Sequence, residues 1–161
     1  HFRQSYHLRD WLHPEGFVQA GFNKKRLLDF RGLIGGGLRL RLYYRERFFL
    51  WWGTNYMLEH EEVDVVAGDS HPAEVTVHRW SNSISAKAKL GQSAEATWTG
   101  YVQPRLARLE DIRILNETRM SAALTKSLAL TLSFCLRYDS RPPQSIETVD
   151  YELKNVLRLK F

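Results

Sequence analysis

Histidine and serine are the residues through which this 161-residue chain would do chemistry at neutral pH, and there are six histidines. His71 and His78 lie close after Asp69, and His7 and His13 lie near the start, but no pair has the tight spacing of a metal motif. They read as loop and turn residues, so no metal and no other cofactor is expected. Acyl transfer would need a serine within hydrogen-bond reach of a histidine base. Ser81 and Ser83 follow His78, yet Ser83 and Ser85 belong to an alternating polar face that requires no catalytic explanation, and no residue is assigned a catalytic role. Gly35, Gly36 and Gly37 match a phosphate loop in composition only, because neither the following Lys-Ser/Thr nor a strand-to-helix context is present. Consecutive glycines inside a strand mark a bend, a bulge or a close backbone approach instead.

The remaining chemistry is charge. Lys and Arg number 23 against 18 Asp and Glu, a formal charge of +5, so an anionic partner has to be weighed. Arg39, Arg41, Arg113, Arg119, Arg137, Lys154 and Arg158 fall on the polar side of their segments, interleaved with Glu95, Glu117 and Glu152 on the same side. A nucleic-acid surface sets basic residues beside exposed stacking aromatics. Here the aromatics lie largely on the opposite face, and no nucleic-acid partner is expected.

The elements that carry these charges are strands. Leu128, Leu130, Leu132, Phe134, Leu136 and Tyr138 alternate with Ala129, Thr131, Ser133, Cys135, Arg137 and Asp139, and the last segment alternates the same way to Phe161. Upstream, Phe48, Leu50, Trp52, Tyr56 and Leu58 share one face, as do Ile34, Leu38, Leu40 and Leu42 opposite Arg39 and Arg41. The adjacent Trp51 and Trp52 must point to opposite faces, so one indole enters the interior. Helical spacing never beats alternation, and the reading is all-β with about nine strands. The composition, 43% hydrophobic and 25% charged, excludes disorder and fits one domain. No run of eighteen apolar residues exists, which removes a membrane helix but leaves a barrel open. The single Cys135 cannot close an intrachain disulfide. Short connections at His13 to Gly16, Tyr44 to Glu46, Gly91 to Ser93 and Thr125 to Ser127 take turns with longer ones at Asn23 to Arg26, Asp64 to Ala73, Pro104 to Asp111 and Asp139 to Thr148. That pattern is an up-and-down meander.

The last hairpin, with Arg137-Tyr138-Asp139 ending one strand, Pro142-Pro143 in the loop, Thr148-Val149-Asp150 after it and a final strand closing on Phe161, resembles a known family. So do the glycine-containing stretch Asp29 to Leu42 and the acidic Glu110-Asp111 before Ile112-Arg113. The family is the Gram-negative outer-membrane β-barrels of unknown function often described as salt-induced outer membrane proteins. The resemblance implies an antiparallel transmembrane β-barrel exported to the bacterial outer membrane, with Phe161 as the signal read by the barrel-assembly machinery, and it implies no enzymatic chemistry. Residues 1–161 are then one barrel domain, the C-terminal part of a longer barrel. Arg39, Arg41, Glu95, Arg113, Glu117, Arg119, Arg137, Glu152, Lys154 and Arg158 are expected to face the lumen, and the arginines to pair with Glu95, Glu117 or Glu152. Leu130, Leu132, Phe134, Leu153, Leu157 and Leu159 are expected to face lipid, and tryptophans and tyrosines near strand ends to form an interfacial girdle. Expected partners are outer-membrane lipids, lipopolysaccharide, the assembly machinery and other outer-membrane proteins. The expected function is structural, or a narrow conduit with a polar, net-basic lumen. Two alternatives stay open, a soluble lipocalin-like ligand-binding barrel and an outer-membrane acyl hydrolase.

Tracing direction back from Phe161, with the long loops outside, places the start of the first strand at His1 on the extracellular side. Single-chain bacterial barrels have even strand numbers. The reading therefore expects at least one strand, with three as the fuller expectation, before His1, and unpaired edges at the first and last strands.

Overall fold

Alternation of large apolar with small or charged residues favours extended backbone over nearly the whole chain, and the computed structural model shows it for the residues it describes, 2–65, 69, 71–144 and 146–159. Phe161 lies outside the described residues. Nine strands follow in chain order: β1 Phe2–Ser5, β2 Leu12–Asn23, β3 Leu28–Arg45, β4 Phe48–Val63, β5 Glu74–Leu90, β6 Ala94–Arg105, β7 Arg108–Ala123, β8 Leu128–Asp139 and β9 Val149–Leu159. Each pairs antiparallel with its neighbour in sequence, giving one sheet in the order β1 to β9. A 3-10 turn at Lys24–Arg26, with Leu27 in the left-handed region at φ 54°, joins β2 to β3.

The sheet curls. Arg113 on β7 bonds Glu59 and Glu61 on β4, three strands away. In a flat sheet those strands would stand roughly 14 Å apart with parallel side chains, so the contact requires concave closure. β1 and β9 end the sheet, and no pairing joins them among the described residues, which makes the architecture an open barrel.

Packing inverts the usual order of a soluble sheet. Five apolar residues are buried, against nine polar or charged ones, among the described residues. The small apolar cluster of Phe17, Leu33 and Met57 sits on the concave face of β2, β3 and β4. It exists because β3 carries glycine beneath it. A Cβ at Gly35 would lie 2.5 Å from the Phe17 ring, and one at Gly37 would lie 2.7 Å from the Asn55 Cα. The glycine triplet is thus a close backbone approach.

Two expected connections lie inside strands. His13 to Gly16 carries turn-forming residues but belongs to β2, where Glu15 and Gly16 pair with Gly37 and Gly36. Pro14 is tolerated because its carbonyl accepts from the Tyr6 amide, so its missing N–H falls on the β1 side, where that strand has already stopped at Ser5. Pro104 to Asp111 is mostly strand, with a turn of only two residues, Leu106 and Ala107, and Pro104 stands at a register shift.

Candidate functional site

The concave face of β4 presents Asn55, Met57, Glu59 and Glu61 at successive i, i+2 positions. Glu59 is wholly excluded from solvent. Its Oε1 accepts from Arg31 Nε at 2.6 Å and Arg113 Nη1 at 2.5 Å, and its Oε2 from Arg79 Nε at 2.6 Å. Arg113 also forks onto Glu61, with Nη1 to Oε1 at 2.7 Å and Nη2 to Oε2 at 2.8 Å, while its Nε donates to Asp139 Oδ2 at 2.8 Å. Arg79 reaches Asp111 Oδ1 at 3.0 Å and the Gln103 carbonyl at 3.0 Å. Three guanidiniums and four carboxylates from β3, β4, β5, β7 and β8 thereby share one network across the interior. A buried charge persists only when its partners replace lost water, and the bidentate, charge-assisted geometry here supplies those partners.

This network lies toward the end of the barrel that carries the longer loops. Above it the loop after β4 meets the loop after β8: Asp69 Oδ2 accepts from the Gln144 amide at 2.9 Å, and Asp69 Oδ1 from the His71 amide at 2.8 Å. Between loops and network lie a pocket of about 100 Å³ bordered by Arg26, Arg31, His71, Arg113 and Ile146 and another of about 360 Å³ bordered by His71, Val75, Arg79, Arg105 and Arg141.

The opposite end is differently built. Arg39 lies over the Trp51 ring at 4.6 Å, and Arg41 lies over Trp51 at 5.5 Å and Tyr44 at 5.0 Å. His13 meets Trp51 edge-on at 5.0 Å, and Tyr44 meets Phe49 at 5.0 Å. Trp51 is the indole that turns inward, while Trp52 is exposed on the outer face. A cavity of about 470 Å³ opens beside this stack, bordered by Arg39, Trp51, Lys87, Lys89 and Thr97.

Register places Arg39, Arg41, Glu95, Arg113, Glu117, Arg119, Arg137, Glu152, Lys154 and Arg158 on the concave face with Glu59. Leu130, Leu132, Phe134, Leu153, Leu157 and Leu159 share the convex face, where Leu130 pairs with Leu157 and Phe134 with Leu153. The ion pairs differ from expectation. Arg113 meets Glu59, Glu61 and Asp139, and Arg137 meets Asp150 at 3.4 Å, whereas Glu95 holds Lys87 at 2.8 Å and Glu152 holds Lys154 at 2.9 Å. Sequence reasoning missed Arg31, Glu59, Glu61, Arg79, Asp111 and Asp139. The available signal was Glu59 and Glu61 two apart on one face of an alternating strand. Ser81 and His78 point to opposite faces: Ser81 Oγ accepts from Gln103 Nε2 inside, while His78 Nδ1 meets the Tyr56 hydroxyl outside.

No curated protein matches the chain. A family described as "Protein of unknown function, DUF481" matches residues 1–161. With that match running the length of a nine-stranded meander, the chain belongs to the DUF481 family.

Proposed function

We propose that this chain forms the wall of a bacterial outer-membrane β-barrel, structural or at most a narrow conduit, whose polar interior is blocked by the Glu59 network. The observation that carries the reading is the inversion of burial. Charged side chains fill the concave face, while Leu132, Phe134, Leu153, Leu157 and Leu159 stand exposed on the convex one. In water such a surface is an aggregation hazard. In lipid it is the favoured arrangement, since an Arg on that face near the midplane would cost about 2–4 kcal/mol.

The convex face of β4 and β5 supports the same reading. From the short-turn end it is apolar through Leu58 and Trp80 except for the facing pair Thr54 and Asn82, whose side chains hydrogen-bond each other at 3.0 Å, and beyond that it is polar at His60, Glu62, Glu74, Thr76 and His78. Trp80 Nε1 donates to Thr54 Oγ1 at 2.7 Å, and Tyr56 stacks on His78 at 5.8 Å, which suits rings at a headgroup boundary. β5, with 17 residues, extends about 55 Å at 3.3 Å per residue. Tilted by about 45°, it still covers about 39 Å along the membrane normal, more than the hydrocarbon core of about 30 Å, so β4 and β5 rise beyond the bilayer on the long-loop side. Lipids, lipopolysaccharide around that rising wall and the assembly machinery are the proposed partners.

Membrane fractionation tests this. The protein should resist carbonate washing, need detergent for extraction and migrate differently on gels before and after heating. A monomer in plain buffer would overturn it.

A further inference from the structure

We propose that the short-turn end of the interior is a binding site for phosphate-type oxyanions, centred on Arg39 and Arg41. The three arginines of the Glu59 network and the pair Arg39 and Arg41 are used differently. At the long-loop end, Arg31, Arg79 and Arg113 are neutralised by Glu59, Glu61, Asp111 and Asp139. At the short-turn end, Arg39 and Arg41 have no carboxylate within ion-pair distance among the described residues; they stack on Trp51 and Tyr44 instead. The carboxylate nearest in register is Glu15, whose Oε1 accepts from Asn55 Nδ2 at 3.0 Å and lies 3.6 Å from Arg3, while its Oε2 is buried without a hydrogen-bond partner; it attracts Arg39 without forming an ion pair.

Stacking occupies the face of a guanidinium and leaves its in-plane N–H fork free. It also holds the group in one orientation, so little side-chain entropy remains to be lost when an anion arrives. Arg39 borders a cavity of about 470 Å³ on the concave wall together with Lys87, Lys89 and Thr97, a neutral hydrogen-bonding group, and Arg41 flanks it through Trp51, over which both guanidiniums lie. Planar double donors on arginine with mobile ammonium groups nearby suit tetrahedral oxyanions. Trp51 and Phe49 on the same wall accommodate an apolar body attached to the anion. One feature restrains the site: Glu95 holds Lys87 at 2.8 Å, removing one cation from the pool.

The source of the phosphate is either a soluble metabolite-like anion or a lipid headgroup, and the test separates them. This inference needs only the polar interior and not the membrane reading, so the titration runs in uncharged detergent, or in plain buffer should the protein prove soluble. Inorganic pyrophosphate is titrated into the full chain, following heat by calorimetry and the Trp51 contribution to fluorescence by difference from Trp51→Phe. A parallel arm titrates mixed micelles containing phosphatidic acid. Saturable binding in either arm is expected, and it should weaken about tenfold or more in Arg39→Gln and Arg41→Gln, as loss of a charge-assisted hydrogen bond implies. Glu95→Gln should tighten binding by releasing Lys87, a gain that a merely structural role would not produce. Arg108→Gln at the other end should leave binding unchanged. No saturable binding in both arms, or equal affinity in wild type, Arg39→Gln and Arg41→Gln, would overturn the proposal.

Discussion

Glu59→Gln keeps the shape of the side chain and removes the charge on which three arginines converge. In the native network Oε1 accepts from Arg31 and Arg113 and Oε2 from Arg79. An amide replaces one of these oxygens with an NH2 group, so at least one guanidinium N–H faces another donor. With Arg105 at 3.7 Å from Asp111 counted, the charge balance within the network shifts from four cations against four anions to four against three. Both neutrality and local compensation are lost. Taking one partner out of a buried, hydrogen-bonded pair costs about 3–5 kcal/mol, because the remaining charge has no water to replace it. Arg79→Gln should cost a similar amount, since it strips the Glu59 Oε2 of its donor and leaves Asp111 with only Arg105, at 3.7 Å. The double variant should be less destabilised than the sum, with a coupling of about 0.5–3 kcal/mol. Denaturant unfolding in detergent, followed by tryptophan emission, measures all three. A Glu59→Gln change below about 1 kcal/mol, the ceiling for exposed pairs, would refute the argument that this network is buried and mutually dependent.

Gly37→Ala should destabilise by about 1–3 kcal/mol as overpacking, because its Cβ would meet the Asn55 Cα at 2.7 Å, with backbone and not a flexible side chain in the way; the same unfolding assay checks it. Lys154→Ala should shift stability by no more than about 1 kcal/mol, since its contact with Glu152 at 2.9 Å is largely solvated, and a larger loss would show that β9 is more enclosed than its exposure indicates. Asp69→Ala removes the acceptor that ties residue 144 to the loop after β4, so limited proteolysis should cut residues 140–148 faster than in the wild type, with the strands unaffected.

The fold was legible where one strand's two faces differ in kind. In β8 and β9 every convex residue but Asn155 is large and apolar, while the concave side is small, polar or charged apart from Val156, so period two declares itself over many residues. It was misread where local chemistry and pairing disagree. Pro14, Glu15 and Gly16 are turn residues by type, but the glycine run of β3 lets β2 pack close and continue through them. The ionic network was beyond reach for a different reason. Alternation placed Arg113 on the concave face, but its partners Glu59 and Glu61 depend on curl, which brings together strands three apart and is not written in any local window; Arg137 instead pairs with Asp150, its direct cross-strand neighbour. The pairs expected among Arg113, Arg119, Arg137, Arg158, Glu95, Glu117 and Glu152 assumed near neighbours along the sheet. Carboxylates across the interior took Arg113 instead.

The central claim is that the convex face meets lipid, and a fluorophore at single positions tests it most directly. In a Cys135→Ser background, cysteine introduced at Leu132 or Leu157 carries an environment-sensitive label on the convex face, and cysteine at Ser133 carries one on the concave face. After reconstitution into bilayers of brominated lipid, the account predicts strong quenching at Leu132 and Leu157 and little at Ser133. Equal quenching at all three positions, or none at Leu132 and Leu157, would contradict it.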